Sequence, residues 1–155
     1  VAGCGWTIGD IVADLQATPA EPFDVAVVSV GVNHVTRWHS ATRWERALEQ
    51  LVTTLKARFR VDHIVFSCVP PMGTFPALPH PLRFFLGQRA GLLDRRLRHF
   101  SDQRPDCHYL PFHPQLRVEH MAVDGFHPGP LIYQRWADDL ATVIGRLMGK
   151  GPTLH

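Results

Sequence analysis

The chain has 155 residues, 45% of them hydrophobic and 19% charged, and a formal charge of +2 with its ten histidines neutral. This is an ordinary globular composition, and it excludes collagen, coiled coil and disordered classes. So small a charge excludes a protein built mainly to neutralise phosphates, so no nucleic-acid partner is expected. The longest apolar runs fall far below the roughly 20 residues of a membrane span, so none is expected.

Three cysteines, Cys4, Cys68 and Cys107, form no close pair and no Cys-x-x-Cys motif. They read as buried thiols rather than a disulfide framework or zinc ribbon. The chain opens on Val1, and Val1-Ala2-Gly3-Cys4 resembles a lipoprotein cleavage box without the apolar stretch that must precede one. Val1 is therefore read as an interior point of a longer ancestral domain.

Thr7 with Asp10 predicts a helix N-terminus, with Ile8, Ile11, Val12 and Leu15 as its apolar stripe. Pro19, Glu21 and Pro22 end it. The valine-rich run from Asp24 to Gly31 reads as a strand buried on both faces, as in a parallel sheet. A loop is expected from Val32 to Ala41, then a helix capped by Thr42 with Glu45 three residues on. Trp44, Ala47, Leu48, Leu51, Val52, Leu55 and Phe59 make that helix amphipathic.

His63 to Ser67 is a second buried strand. Residues 70 to 81 hold five prolines and form a loop that cannot be helical. Leu86, Ala90, Leu93, Leu97 and Phe100 mark a helix from Leu82 to Phe100, whose basic face of Arg89, Arg95, Arg96 and Arg98 is expected to be solvated. Cys107 to Phe112 is a shorter third strand. A last helix runs from Pro130 to about Met148, with Ile132, Trp136, Leu140, Val143 and Leu147 on one side. The expected layout is a single domain over residues 1–148 and a flexible tail over 149–155.

Helices alternating with strands predict a parallel α/β sheet with right-handed crossovers. Chemistry then collects beyond the carboxyl ends of the strands, here in Gly31 to His39, Val69 to Leu82 and His113 to Pro128. Asp124 and His127 lie three residues apart on a tight turn, where a carboxylate can fix an imidazole tautomer as a hydrolytic triad requires. Asp-Gly is also a common turn pair, which leaves a purely structural reading open. Asn33 at a strand end can aim its amide N–H at an oxyanion. The Gly3-Cys4-Gly5 turn offers backbone N–H groups just ahead of a helix. A metal site built from His113, Glu119, His120, Asp124 and His127 is disfavoured, since no spacing matches a zinc motif.

These residues resemble the blocks of the SGNH hydrolases, the GDSL-type esterase/lipase family. Gly3-Cys4-Gly5-Trp6-Thr7 is similar to its glycine block, which implies Gly5 as an oxyanion-hole donor. Gly31-Val32-Asn33-His34 is similar to its Gly-x-Asn-Asp block, which implies Asn33 as the second donor. Asp124-Gly125-Phe126-His127 is similar to its Asp-x-x-His block, which implies both as catalytic residues. The resemblance implies a three-layer α/β/α, flavodoxin-like SGNH-hydrolase fold, with a segment before Val1 supplying the first two strands. It implies ester hydrolysis of small acyl or acetyl esters with no metal and no organic cofactor.

Two departures stand out. The sequence contains no Gly-Asp-Ser, the family's nucleophile block, and Gly9-Asp10 continues to Ile11. Ser29 and Ser67 fall in predicted strands, Ser101 ends a helix, and Ser40 lies seven residues past Asn33. The nucleophilic serine is therefore expected upstream of this chain. The alternative is a catalytically inactive remnant acting as a binding or structural domain.

The second departure is His34, which stands where the family has an Asp. It leaves the oxyanion donor intact but makes the loop's hydrogen bonding sensitive to pH. His34, Met72, Phe75 and Phe126 are expected to line the substrate pocket. Without upstream strands, the valine-rich edge of residues 24–30 would be unpaired, and a homodimer through that edge is the expected result.

Overall fold

The computed structural model describes Gly3, residues 5–111 and residues 118–149, with Val118 described by its backbone alone. Cys4, Phe112, His113 and the tail beyond Gly149 therefore lie outside the described residues. In chain order the elements are α1 (Ile8–Ala17), β1 (Val25–Val28), α2 (Val32–Thr36), α3 (Ala41–Phe59), β2 (His63–Ser67), α4 (Leu82–Asp102), β3 (Cys107–Leu110) and α5 (Pro130–Leu147). Short 3-10 turns cover Met72–Thr74 and Val118–His120.

The three strands form one parallel sheet in the order β1-β2-β3, with Val25 beside His63 and Ile64 beside Cys107. Strand side chains alternate between faces. Ile64 and Phe66 face the layer of α1, α3 and α4, where Phe66 meets the Phe100 ring edge-on at 6.2 Å. Ser67 faces α5, whose Trp136 indole donates to the Ser67 hydroxyl at 2.9 Å. Helices on both sides of the sheet make the three layers. The core sits between the central strand and α3, where Trp44, Leu48, Ile64, Phe66, Leu93 and Leu97 are all fully buried.

Local chemistry explains the boundaries. The Asp10 carboxylate accepts from both the backbone N–H and the hydroxyl of Thr7 at 2.7 Å, which closes the start of α1. The expected cap at Thr42 is corrected: Ser40 caps α3, accepting from the Arg43 N–H at 3.2 Å, and Glu45 pairs across to Arg96 on α4 at 3.0 Å. The expected loop from Val32 to Ala41 is also corrected, since its first half is α2. β2 has the expected bounds, β1 is shorter than the expected run from Asp24 to Gly31 because Gly31 already caps α2, and β3 runs to Leu110, the expected end at Phe112 lying outside the described residues.

The basic face of α4 divides. Arg95 is solvated, and Arg96 is exposed beside Glu45. Arg89 turns inward and donates through Nε to the Val35 carbonyl at 3.1 Å and through Nη2 to the His39 carbonyl. These two bonds tie α4 to α2 and to the turn after it, the Val35 carbonyl also accepting the Trp38 N–H at 3.2 Å.

β1 stands at the edge of the sheet, and among the described residues its outer edge is unpaired. A groove of about 440 Å³ runs along it, lined by Ile11, Leu15, Phe23, Val25 and Val27 among others. Val27 points to the α5 side, where it is 39% exposed. No helix among the described residues is long and apolar enough to cross a membrane.

Candidate active site

Asn33 follows the carboxyl end of β1 in α2, Asp124 and His127 follow that of β3, and Gly5 lies in the turn before α1. Asp124 is the best-defined of these residues. Its Oδ1 accepts the backbone N–H groups of Phe126 at 3.0 Å and His127 at 2.9 Å. Its Oδ2 lies 2.5 Å from His127 Nδ1. Gly125 makes the tight turn possible with φ of 64°, a left-handed conformation that glycine adopts without steric cost. The three hydrogen bonds, the one to the His127 ring foremost, hold the Asp124 carboxyl well below the usual carboxylate range. With Nδ1–H donating to this carboxylate, the Nε2 of a neutral His127 is left as the acceptor.

The turn is tied down on both sides. Ala122 N–H bonds the His127 carbonyl at 2.8 Å, and Met121 bridges to Pro128. The Ala77 N–H reaches the Gly125 carbonyl, and Phe75 meets the Phe126 ring edge-on at 5.4 Å. The Pro-rich loop that supplies Phe75 is anchored in turn by Asp94, which accepts the Val69 N–H and the Tyr109 hydroxyl, each at 2.8 Å.

Gly5 and Asn33 come together from opposite ends of a 28-residue separation in the chain. Asn33 is the second residue of α2, which follows Gly31, whose φ of 130° lets the chain turn into the helix. A Cβ on Gly31 would also come within 2.8 Å of a Val69 methyl. The Asn33 Nδ2 donates to the Trp6 carbonyl at 2.8 Å, and one turn later Arg37 Nη2 donates to the Gly5 carbonyl at 3.0 Å. An amide nitrogen carries two hydrogens, so Asn33 keeps one to give. Gly5 has φ of 75°, and its N–H makes no hydrogen bond among the described residues.

Two cavities adjoin here. One of about 190 Å³ is lined by Gly3, Trp6, Gly31 and Asn33. The other, about 120 Å³ and mostly apolar, is lined by Phe75, Met121, Pro128, Ile132 and Tyr133. Ser29 and Pro70 belong to the walls of both. Of the four residues expected in the substrate pocket, Phe75 lines the smaller cavity and Phe126 stacks between Phe75 and His127. Met72 is fully buried and His34 is 2% exposed. Both are packed inward, because each side chain fills the layer beneath its loop.

The described serines have other placements. Ser40 Oγ caps α3, Ser67 Oγ accepts from Trp136, and Ser101 Oγ donates to the Leu97 carbonyl. Ser29 is exposed just past the end of β1 rather than packed within it. None of the four bonds His127. Among the described residues, no three His, Cys, Asp or Glu side chains converge as metal ligands.

Sequence reasoning missed Arg37 and Trp6. Asn33 and Arg37 are four residues apart, the spacing of one helix face, but that signal can be used only once α2 is known to be a helix.

The profile of the GDSL-like Lipase/Acylhydrolase family matches residues 2–135. No curated protein matches the chain. Among solved structures, a Streptococcus pneumonia protein named for platelet activating factor superposes with a TM-score of 0.75 at 14% identity, over 90% of this chain and 69% of that one. A carbohydrate esterase of family 3 from Talaromyces cellulolyticus gives 0.68 at 15% identity, over 96% of this chain and 70% of that one. An acetylxylan esterase from Geobacillus stearothermophilus gives 0.54 at 18% identity, over 97% and 72%. At these identities the likeness to solved structures speaks for the fold alone.

Proposed function

We propose a mechanism from one premise: the chain belongs to the GDSL-like lipase/acylhydrolase family, and by that membership it is a carboxylic ester hydrolase of SGNH fold. The observation that carries the mechanism is the Asp124–His127 pair, with its carboxylate held ionised and its imidazole Nε2 free to accept.

His127 Nε2 takes the proton of a serine hydroxyl as that oxygen bonds the acyl carbon. The carbonyl electron pair moves onto oxygen, where the Gly5 N–H and the second hydrogen of the Asn33 amide receive it. When the C–O bond breaks, His127 returns the proton to the departing alcohol. Water then attacks the acyl-serine with His127 again as base, which releases the acid and restores the serine. Asp124 holds the tautomer throughout and stabilises the imidazolium.

The nucleophile is a serine outside residues 1–155, in keeping with the placements of the described serines. The substrate is a small acyl or acetyl ester. The apolar cavity of about 120 Å³ is well under the 300–1,000 Å³ of pockets for drug-sized ligands. Esterified carbohydrate is the class favoured by the names of two structural neighbours, a carbohydrate esterase and an acetylxylan esterase.

A fluorophosphonate serine trap tests this, read by intact mass and peptide mapping. A longer product carrying an upstream serine is expected to take a single adduct, and residues 1–155 alone none. An adduct mapped to Ser29 or Ser40 would overturn the nucleophile assignment. The engaged hydroxyls of Ser40, Ser67 and Ser101 also favour a second reading, a retired enzyme that only binds. A folded longer product that takes no adduct would select it.

The open edge of β1 completes the proposal. Its residues, Val25–Val28, carry no charge that would oppose a second strand. Residues 1–155 alone are expected to pair two copies through this edge and to sediment as a dimer. Val27→Lys is expected to return the monomer. A well-folded unsubstituted monomer would show that the edge needs no partner.

A further inference from the structure

His34 follows Asn33 directly in α2 and is buried, 2% exposed. Its ring packs edge-on against Trp44 at 4.7 Å and against His39 at 5.0 Å. Its Nδ1 is buried with no hydrogen-bond partner, and so is the Nδ1 of His39. A ring chosen only to fill space would not need a nitrogen there, and an orphaned buried polar atom calls for an explanation.

Resting on the reading of Gly5 and Asn33 as the oxyanion donors, we propose that His34 is the positioning residue of that pair. Its uncharged ring, wedged against Trp44, sets the roll of α2. That roll places the two side chains, Asn33 and Arg37, that hold the Trp6 and Gly5 carbonyls at 2.8 and 3.0 Å. The His34 and Val35 N–H groups both bond the Gly31 carbonyl at 2.9 Å, which closes the first turn of α2 on its N-cap.

The groups around the ring make the wedge conditional on its being neutral. Burial is the main obstacle to a second proton. His39 in the following turn, Arg43 on α3 and Arg37 at the C-terminal cap of α2 act in the same direction, and Asp10 on α1 opposes them. Arg89 from α4 adds a further cation where it bonds the His39 carbonyl. Burial first, then the His39, Arg43 and Arg37 charges, hold the His34 imidazole down to about 4.

The sign follows from linkage. An opened α2 exposes His34, which then takes up a proton below its ordinary value near 6.5, while the closed form refuses one until about pH 4. The closed arrangement is therefore fully favoured above pH 6.5 and loses ground as pH falls. The opening equilibrium rises by about 80-fold between pH 6.5 and 4, and by about 300-fold over the whole titration, levelling only below pH 4.

Native-state hydrogen exchange on residues 1–155 reads this directly. The probes are the α2 amides of Val35 and Arg37, with Val65 in the central strand as the control. After correction for intrinsic rates, opening of α2 is expected to increase by about two orders of magnitude from pH 6.5 to 4, while Val65 stays protected. His34→Phe, which keeps a ring but cannot be protonated, is expected to abolish the pH dependence. His34→Gln is expected to do the same, and stands in if the phenylalanine variant loses Val65 protection. The same acid opening in either folded variant, or no acid opening in the unsubstituted chain, would overturn the proposal. A ring that only filled space would give the same acid opening, so the positioning role is read from the Asn33 side-chain amide signals at pH 7, which His34→Gln is expected to shift and which, left unshifted, would overturn the proposal. Because no turnover is measured, failure of the hydrolase reading would appear separately, in the serine trap.

Discussion

Alanine at His127 is expected to lower kcat for ester hydrolysis by about 10⁴-fold or more, with KM little changed. The assay uses a product that carries the acyl-accepting serine and a small acetyl ester as substrate. The effect is large because the serine, the general base and the orienting carboxylate act as one unit, so losing any member disables the others. Asp124→Asn is the sharper variant. Asparagine keeps an oxygen to accept the Phe126 and His127 N–H groups, so the turn survives. It replaces the Oδ2 that faces His127 Nδ1 at 2.5 Å, and an amide N–H in that place would favour the wrong tautomer. A loss of about 10⁴-fold in kcat is expected from that change alone. If either variant hydrolysed the ester within about tenfold of the unsubstituted rate, the acid–base assignment would be wrong.

Trp44→Ala is expected to be the most damaging single substitution to stability, at about 3–5 kcal/mol. The ring is fully buried and its Nε1 donates to the Leu93 carbonyl on α4 at 3.2 Å. It joins α3 to α4 and is also the surface against which His34 packs at 4.7 Å. A domain of this kind has a net stability of only about 5–15 kcal/mol, so the variant should unfold at a much lower urea midpoint. Trp44→Phe keeps most of the buried area and loses the hydrogen bond, so a smaller shift is expected. Equal urea midpoints for Trp44→Ala and the unsubstituted chain would mean that the core is not organised about this residue.

Much of this fold was legible in the residues. Trp44, Leu48, Leu51, Leu55 and Phe59 recur with the helical period over a long segment, and Ile64 to Phe66 are apolar without interruption, which suits a central parallel strand. Asp124 and His127 could be paired from sequence because both partners lie within one turn, and local geometry alone brings them together.

Other features depended on contacts between distant segments. α2 is five residues long, too short to show a period, and it forms where Gly31 turns the chain and Arg89 and Arg37 take up polar groups around it. The α3 cap moved from Thr42 to Ser40 because either residue can close a helix and packing chose where the first turn began. Arg89 read as one of four solvated arginines, yet it is the one turned inward to bond the carbonyls of Val35 and His39.

The sequence by itself determined the parallel α/β class, the main helices and strands, and the Asp124–His127 pair, since each follows from periodicity or from partners within a few residues. Only the tertiary structure decided that Asn33 and Arg37 grip the Gly5–Trp6 backbone, and that His34 lies in the core instead of the pocket. Those outcomes depend on which faces meet across the sheet ends, and burial and unpaired polar groups are properties of that meeting rather than of any local stretch of chain.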